Sequence, residues 1–329
     1  MAKVWSRIRE VIERQGRAGL VSVVGAAGSV PREAGARIVL QPDGGFFGTI
    51  GGGRLEYEAI AAARAALAAG RGEAQFRDWP LGPNLGQCCG GVVKTLTETF
   101  DAGDLAMVRR FEEAEKEGAF AVLSRLDGKG RIVRLLAPDG AVVGSAETAA
   151  PFASTPFYEH FGEATTPVLL FGAGHVGRAV VMALAPLPFA VRWIDSRPDQ
   201  FPRFVPQNVV TVCSNAADRE VAAAPCDAMV IIMTHAHPLD FEITAAALQR
   251  GTFEFVGLIG SETKRARFVK FARQLGIADR ALDRLVCPIG IADINGKEPA
   301  VIAAALVAQL LLVRERSLVH QESPAVQPA

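Results

Sequence analysis

Three short segments of this chain carry the residues best suited to chemistry, and glycine or proline punctuates each of them. In the first, Gly172, Gly174 and Gly177 form a G-x-G-x-x-G pattern directly after the apolar run PVLLF and at the start of a helical pattern. Asp195 follows about 20 residues on, at the end of the next apolar run, the spacing of a dinucleotide-binding unit. Glycines there allow a tight turn and a close approach of phosphate to the backbone, where helix N–H groups and the helix dipole stabilise its charge. Asp195 is expected to accept hydrogen bonds from a ribose or another polyol-like edge. His175, inside the turn, either adds a titratable donor or simply faces solvent at the helix start.

The second segment is Gln87-Cys88-Cys89-Gly90-Gly91. Adjacent cysteines followed by two glycines, just before a strand, read as an exposed and flexible thiol loop. Its N–H groups would stabilise a thiolate, which is both a soft metal ligand and a sulfur nucleophile. The plain alternative makes one or both cysteines small hydrophobic fillers under the sheet. The third is Thr234-His235-Ala236-His237-Pro238-Leu239-Asp240, after the apolar run MVIIM. That is the carboxyl end of a parallel strand, where open α/β sheets place ligands. Two histidines and an aspartate resemble half of a hydrolase metal site, but the other histidines, His160, His175 and His320, form no further cluster. Ligand or phosphate contact by His235 or His237 is the favoured reading. Asp240 also fits a helical first turn, where the dipole favours an acid. A further glycine turn, Gly51 to Gly53 with Arg54, sits at another helix start as a second candidate anion site. The loop carrying Arg32 and Glu33 is read as turn chemistry or function with equal weight.

The elements that must position these residues fall into two patterns. Val4, Trp5, Ile8, Val11 and Ile12 mark one face of an N-terminal helix. Strands are expected at 20–24, 36–41, 46–50, 73–77, 92–100, 119–125, 131–136 and 141–144, with helices at 53–69 and 104–117. From residue 167 onward apolar runs alternate with helical segments, as in a parallel sheet buried on both faces. The expected fold is therefore α/β: an N-terminal α+β domain at 1–145 containing the CCGG loop, then a linker at 146–166. A Rossmann-like doubly wound parallel-sheet domain at 167–316 and a disordered tail at 317–329 complete the chain.

Composition narrows the function classes. Of 329 residues, half are apolar and 35 acidic residues balance 35 basic ones, so no global field draws in nucleic acid or an anionic membrane. The apolar stretch at 300–313 is too short to span a bilayer and reads as a buried helix. Without the apolar core of a signal peptide, and with an odd count of five cysteines, a reducing cytoplasmic location is expected.

Taken together, the segments resemble the XdhC/CoxI family, accessory factors that mature xanthine dehydrogenase and related molybdenum hydroxylases. The matching stretches are GSVPREAGARIVL, GTIGGGRLEYEAI, LGQCCGG, FGAGHVG with WIDSRPDQFP, THAHPLDFEI, GLIGSETKRARF and CPIGIADINGKEPAVIAAAL, in family order from Gly28 to about Ala305. The resemblance implies a non-enzymatic chaperone. It would bind the molybdenum cofactor, hold it while a cysteine desulfurase supplies the terminal sulfido ligand, and deliver it to the molybdenum subunit of apo xanthine dehydrogenase. On that reading Cys89, with Cys88, takes the molybdenum end. The turn at Gly172, Gly174 and Gly177, with His175, Asp195, His235 and His237, takes the phosphate end, and Gly52, Gly53 and Arg54 form the second anion site. A ligand gripped at both ends would call for a cleft between domains, within one chain or across a homodimer. Two rival classes stay open: an NAD(P)-dependent oxidoreductase with His237 as general acid, and a non-catalytic scaffold joining desulfurase and dehydrogenase.

Overall fold

The structure, a computed structural model, describes residues 3–70, 72–82, 90–137 and 156–322. It divides into two compact units, Met1–Ala164 and Thr165–Ala329.

In the first unit, helix α1 (Val4–Gln15) buries Trp5, Ile8, Val11 and Ile12 along one side and stops at Gly16, whose φ of 80° only glycine adopts freely. Then come β1 (Arg17–Ala27), β2 (Arg37–Leu40), β3 (Phe46–Gly48), α2 (Gly53–Ala69), β4 (Gln75–Pro80) and β5 (Val92–Asp101). These strands form an antiparallel sheet of order β3-β2-β1-β5-β4. Helix α3 (Leu105–Glu117) leads to a smaller antiparallel sheet of β6 (Phe120–Leu126), β7 (Ile132–Leu136) and β8 (Phe157–Phe161), in the order β7-β6-β8. Side chains alternate between faces along a strand, and β1 shows the consequence. Its Val21 and Val23 pack with Leu55, Ala59 and Ala63 of α2, while Ala18 and Leu20 share a cluster with Trp5, Phe111 and Phe161. Charge is buried on that second side. The Arg134 guanidinium, fully enclosed, donates to both oxygens of Glu98 at 2.9 and 2.5 Å and to Glu159 at 2.7 Å.

The strand β8 lies inside the stretch expected as linker. Its alternation of buried Phe157, Glu159 and Phe161 with exposed Tyr158 and His160 is a half-buried strand pattern hidden in a Pro- and Thr-rich composition. The expected strand at 141–144 lies outside the described residues.

The second unit begins with β9 (Thr166–Phe171), α4 (His175–Leu184), β10 (Phe189–Asp195), β11 (Val209–Cys213) and α5 (Ala217–Ala223). It continues with β12 (Met229–Ile232), α6 (His237–Arg250), β13 (Phe255–Leu258), α7 (Glu262–Gln274), α8 (Asp279–Leu282), β14 (Leu285–Val286) and α9 (Pro299–Glu322). All six strands pair in parallel, in the order β11-β10-β9-β12-β13-β14. Numbered from β9, this is the dinucleotide-fold order 3-2-1-4-5-6, and the order reverses between β9 and β12. Both faces are covered. Leu169, Phe171, Val230 and Ile232 pack with residues of α6 and α7, whereas Val168, Leu170, Met229 and Ile231 pack with α4 and α9. Burial on both sides explains why these strands read as continuous apolar runs. The 300–313 stretch lies in α9, which buries Ala303, Leu306 and Leu310. That helix continues to Glu322, so 317–322 are helical where the sequence suggested a tail. Among the described residues no helix is long and apolar enough to cross a membrane.

Candidate functional site

The glycine turn occupies the switch point. Its three glycines differ in what their missing side chains permit. Gly172 has φ of 116°, and a Cβ there would lie 2.2 Å from the carbonyl oxygen of Met233, at the end of β12. A Cβ on Gly177 would fall 2.1 Å from the carbonyl oxygen of Gly172, so this glycine lets α4 press against the strand end. At Gly174 a Cβ would meet nothing within 4 Å. The first and third glycines are thus demanded by packing, and the second opens onto free space.

Asp195 does not face that space as a vacant acceptor. Its Oδ2 accepts from the Ala173 amide at 2.7 Å and from Arg197 Nη2 at 3.0 Å. Its Oδ1 accepts from the Arg197 amide at 3.0 Å and Arg197 Nε at 2.9 Å. An ionised carboxylate offers about four lone-pair positions, and all are filled. Burial alone would raise this carboxyl. The Arg197 guanidinium and the amides of Ala173 and Arg197 outweigh it and hold Asp195 below the usual aspartate range. The acceptor positions expected to meet a ribose are thus taken from within the chain, and Asp195 clamps the turn. Trp193 completes the clamp by donating its indole N–H to the Gly172 carbonyl at 2.9 Å. The Ala173 amide is consumed. Helix α4 has Gly174 at its N-cap with no side chain capping it, which leaves the first-turn amides to solvent or an anion. His175, the first helical residue, is exposed there.

Two clefts lie along the carboxyl edge of the sheet. A narrow one, about 90 Å³, is lined by Gly172, Asp195, Ser214, Asn215, Thr234 and His235. A wider one, about 330 Å³, is lined by Thr234, His235, His237, Gly260, Ser261 and Lys264 among others. Thr234 and His235 border both. Gly172, Asp195, His235 and His237 are thus brought to one edge, while Gly174 and His175 line neither cleft. Asp240 is buried and takes hydrogen bonds from the Thr234 amide at 2.8 Å, the Thr234 hydroxyl at 2.7 Å and Lys264 Nζ at 2.6 Å. Among the described residues no cluster of His, Cys, Asp and Glu has the make-up of a metal site.

The Gly51–Gly53 turn is closed by its own chain. Glu56 Oε2 accepts from the Thr49 hydroxyl at 2.6 Å, the Ile50 amide at 2.9 Å and the Gly52 amide at 3.1 Å. Burial would raise this carboxyl, but those bonds hold it below the usual glutamate range. Arg54 pairs with Glu58 at 2.7 Å. Of the second anion site expected at Gly52, Gly53 and Arg54, the Gly52 amide thus already holds an internal carboxylate. Cys88 and Cys89 lie outside the described residues. Of their neighbours, Gly91 is required by packing, since a Cβ would lie 2.5 Å from the carbonyl oxygens of both Ala27 and Ser29. Cys287 is buried, which pushes its thiol up to about 11 and makes it a poor nucleophile.

Sequence reasoning missed Lys264, Arg197 and Glu56. Arg197 had a local signal, an arginine two residues after an acid at a strand end. Lys264 sits among Arg265 and Arg267, and its only mark is a cation in a first helical turn, where the dipole disfavours it.

A profile described as the XdhC Rossmann domain matches residues 168–310, and one described as the XdhC and CoxI family matches residues 11–77. Together these spans take in well over half of the 329 residues. The chain belongs to the XdhC and CoxI family. The CCGG motif lies outside both matched spans of this family member. Its fold is similar to that of a Bacillus halodurans protein whose crystal structure is described as a xanthine dehydrogenase. The TM-score is 0.76 at 20% identity, over 99% of this chain and 98% of that one. The XdhC-type chain is also similar to the Escherichia coli (strain K12) protein YqeB, described as uncharacterized, at 28% identity over 153 residues, 46% of this chain. The match spans only 28% of that relative's length.

Proposed function

We propose that this protein is an accessory factor for xanthine dehydrogenase or a related molybdenum hydroxylase, and that it holds the molybdenum cofactor as cargo through the cofactor's terminal phosphate. The supporting observation is the α4 N-terminus at the sheet's switch point. There Gly174 opens onto free space, no side chain caps the helix, and Gly172 and Gly177 fix the backbone. An anion seated there would meet unpaired amides and the positive end of the helix dipole. On this reading the first-turn amides bind the phosphate, His175 adds a donor beside it, and Asp195 with Arg197 keeps the turn in shape. His235 and His237 border the rest of the cargo. Cys89, with Cys88, supplies the thiolate toward molybdenum during sulfuration by a cysteine desulfurase, before transfer to the dehydrogenase's molybdenum subunit.

A nicotinamide dinucleotide is the less favoured ligand. That chemistry relies on the acid after the second strand to receive ribose hydroxyls, and here the four positions of Asp195 are filled internally.

The direct test is mass spectrometry and metal analysis of the protein purified from a host that makes the molybdenum cofactor. Molybdenum and the pterin should co-purify with the wild-type chain. Gly174→Val should retain at least 10-fold less of both, and Cys88→Ala/Cys89→Ala should lose molybdenum retention with its fold intact. Recovery of bound nicotinamide instead, or equal cargo in all three proteins, would overturn the reading.

A further inference from the structure

We propose that the cleft of about 330 Å³ beside α6 and α7 is a second anion subsite, with Lys264 as its binding cation. The inference begins with a local conflict. Lys264 occupies the first turn of α7, behind the Ser261 N-cap, where a positive charge opposes the helix dipole. Its side chain is 11% exposed, and its stem lies back over Gly260. A Cβ on that glycine would sit 2.5 Å from Lys264 Cδ, so Gly260 makes room for the lysine to reach inward.

At the end of that reach the ammonium meets two acceptors, Asp240 Oδ2 at 2.6 Å and the Ile259 carbonyl at 2.8 Å. An ammonium carries three N–H donors. The third has no protein acceptor among the described residues, and the group lies on the wall of the cleft. Asp240 is already served by the Thr234 amide and hydroxyl on its other oxygen, so the pair is oriented from both sides. A purely structural pair is a weak explanation, because apolar residues of similar volume commonly replace buried ion pairs without loss of stability. The remaining polar wall supplies what an oxyanion needs. Ser261, His235 and His237 also line the cleft, as does Asp240, and Lys264 provides its cation.

Thr234 and His235 also border the narrow cleft at Gly172, on the carboxyl edge of the sheet from which the glycine turn leads into α4. The ligand class that follows carries two oxyanionic groups, one for each subsite. This last step rests on the glycine-turn reading; the existence of the Lys264 subsite does not.

The test is a titration of the full chain with inorganic phosphate, followed by amide NMR shifts, which report each subsite separately. Amides of 260–264 and of 172–177 should move as two sets with distinct affinities. In Lys264→Met the first set should bind at least 10-fold more weakly while the second is unchanged. Lys264→Arg should recover most of the loss. Since Lys264→Met strands the Asp240 charge, His235→Ala at an exposed position provides a variant without that burden, and about 3-fold weaker binding at 260–264 is expected. Amides 260–264 that stay still, or shift alike in wild type and Lys264→Met, would overturn the subsite. Stillness confined to 172–177 would overturn the glycine-turn reading and leave this one standing.

Discussion

Two glycine-rich turns in this protein each lead into a helix, and their fates differ. At Gly51–Gly53 the chain supplies its own anion: Glu56, on the first turn of α2, folds back onto the amides of Ile50 and Gly52. At Gly172–Gly177 no acid follows on the helix. The one that serves the turn, Asp195, comes from the neighbouring strand and takes only the Ala173 amide. The first turn carries an acid of its own helix on two amides, and the second has none. Glycine spacing alone does not separate them. The position of the nearest carboxylate does.

The strongest way to break this contrast is at Gly172. Gly172→Ala forces a Cβ toward the Met233 carbonyl at a φ that side chains rarely adopt. A loss of about 4 kcal/mol or more is expected from the denaturation midpoint. A loss below about 1 kcal/mol would show that the turn is not held between β9 and β12 as described.

Next is the carboxylate that fills the other turn. Glu56→Ala should cost about 2 kcal/mol, since several charge-assisted bonds go at once. Added inorganic phosphate should then raise the melting temperature of the variant more than that of the wild type, because the emptied amides face an anion again. No phosphate effect would mean that the turn is not an anion site even when vacated. The pH dependence has a definite sign. The folded Glu56 is held below its ordinary value, so its stabilisation is present above about pH 4.3 and is lost as pH falls further through the folded value. The wild type should therefore lose more stability than Glu56→Ala in that acid window.

Gly174→Val should alter stability by no more than about 0.5 kcal/mol, since the position is open and its φ is −72°. Any binding defect there can then be assigned to ligand approach. The smallest effect is expected for Arg54→Ala, again within about 0.5 kcal/mol, because the pair with Glu58 is an exposed one on a single helix.

Much of the fold was legible because its signals are local. The continuous apolar runs, the G-x-G-x-x-G spacing and the acid about 20 residues later together pointed to the doubly wound parallel sheet, without its short edge strand Leu285–Val286. The strand Phe157–Phe161 escaped because its five residues alternate inside a stretch dominated by Pro, Thr and Ala. At the candidate site, the fold brings Gly172, Asp195, His235 and His237, singled out from separate motifs, to one sheet edge. The sequence could not show that the Ala173 amide donates to Asp195, nor that Lys264 reaches Asp240, because those pairings arise only when segments distant in sequence meet. Glu56 is the exception: it lies only a few residues beyond its glycines, and a reading that checked for nearby acids would have found it.

The clamp on the open turn has a kinetic consequence. Asp195 and Trp193 hold the backbone at Ala173 and Gly172 through bonds that involve no ligand. On the proposed reading, an arriving anion would order no loop at these positions and surrender little chain entropy there. A socket of this kind would exchange its contents at a rate set by the contacts themselves, which would suit the proposed handing-on of a cargo more than locking it away.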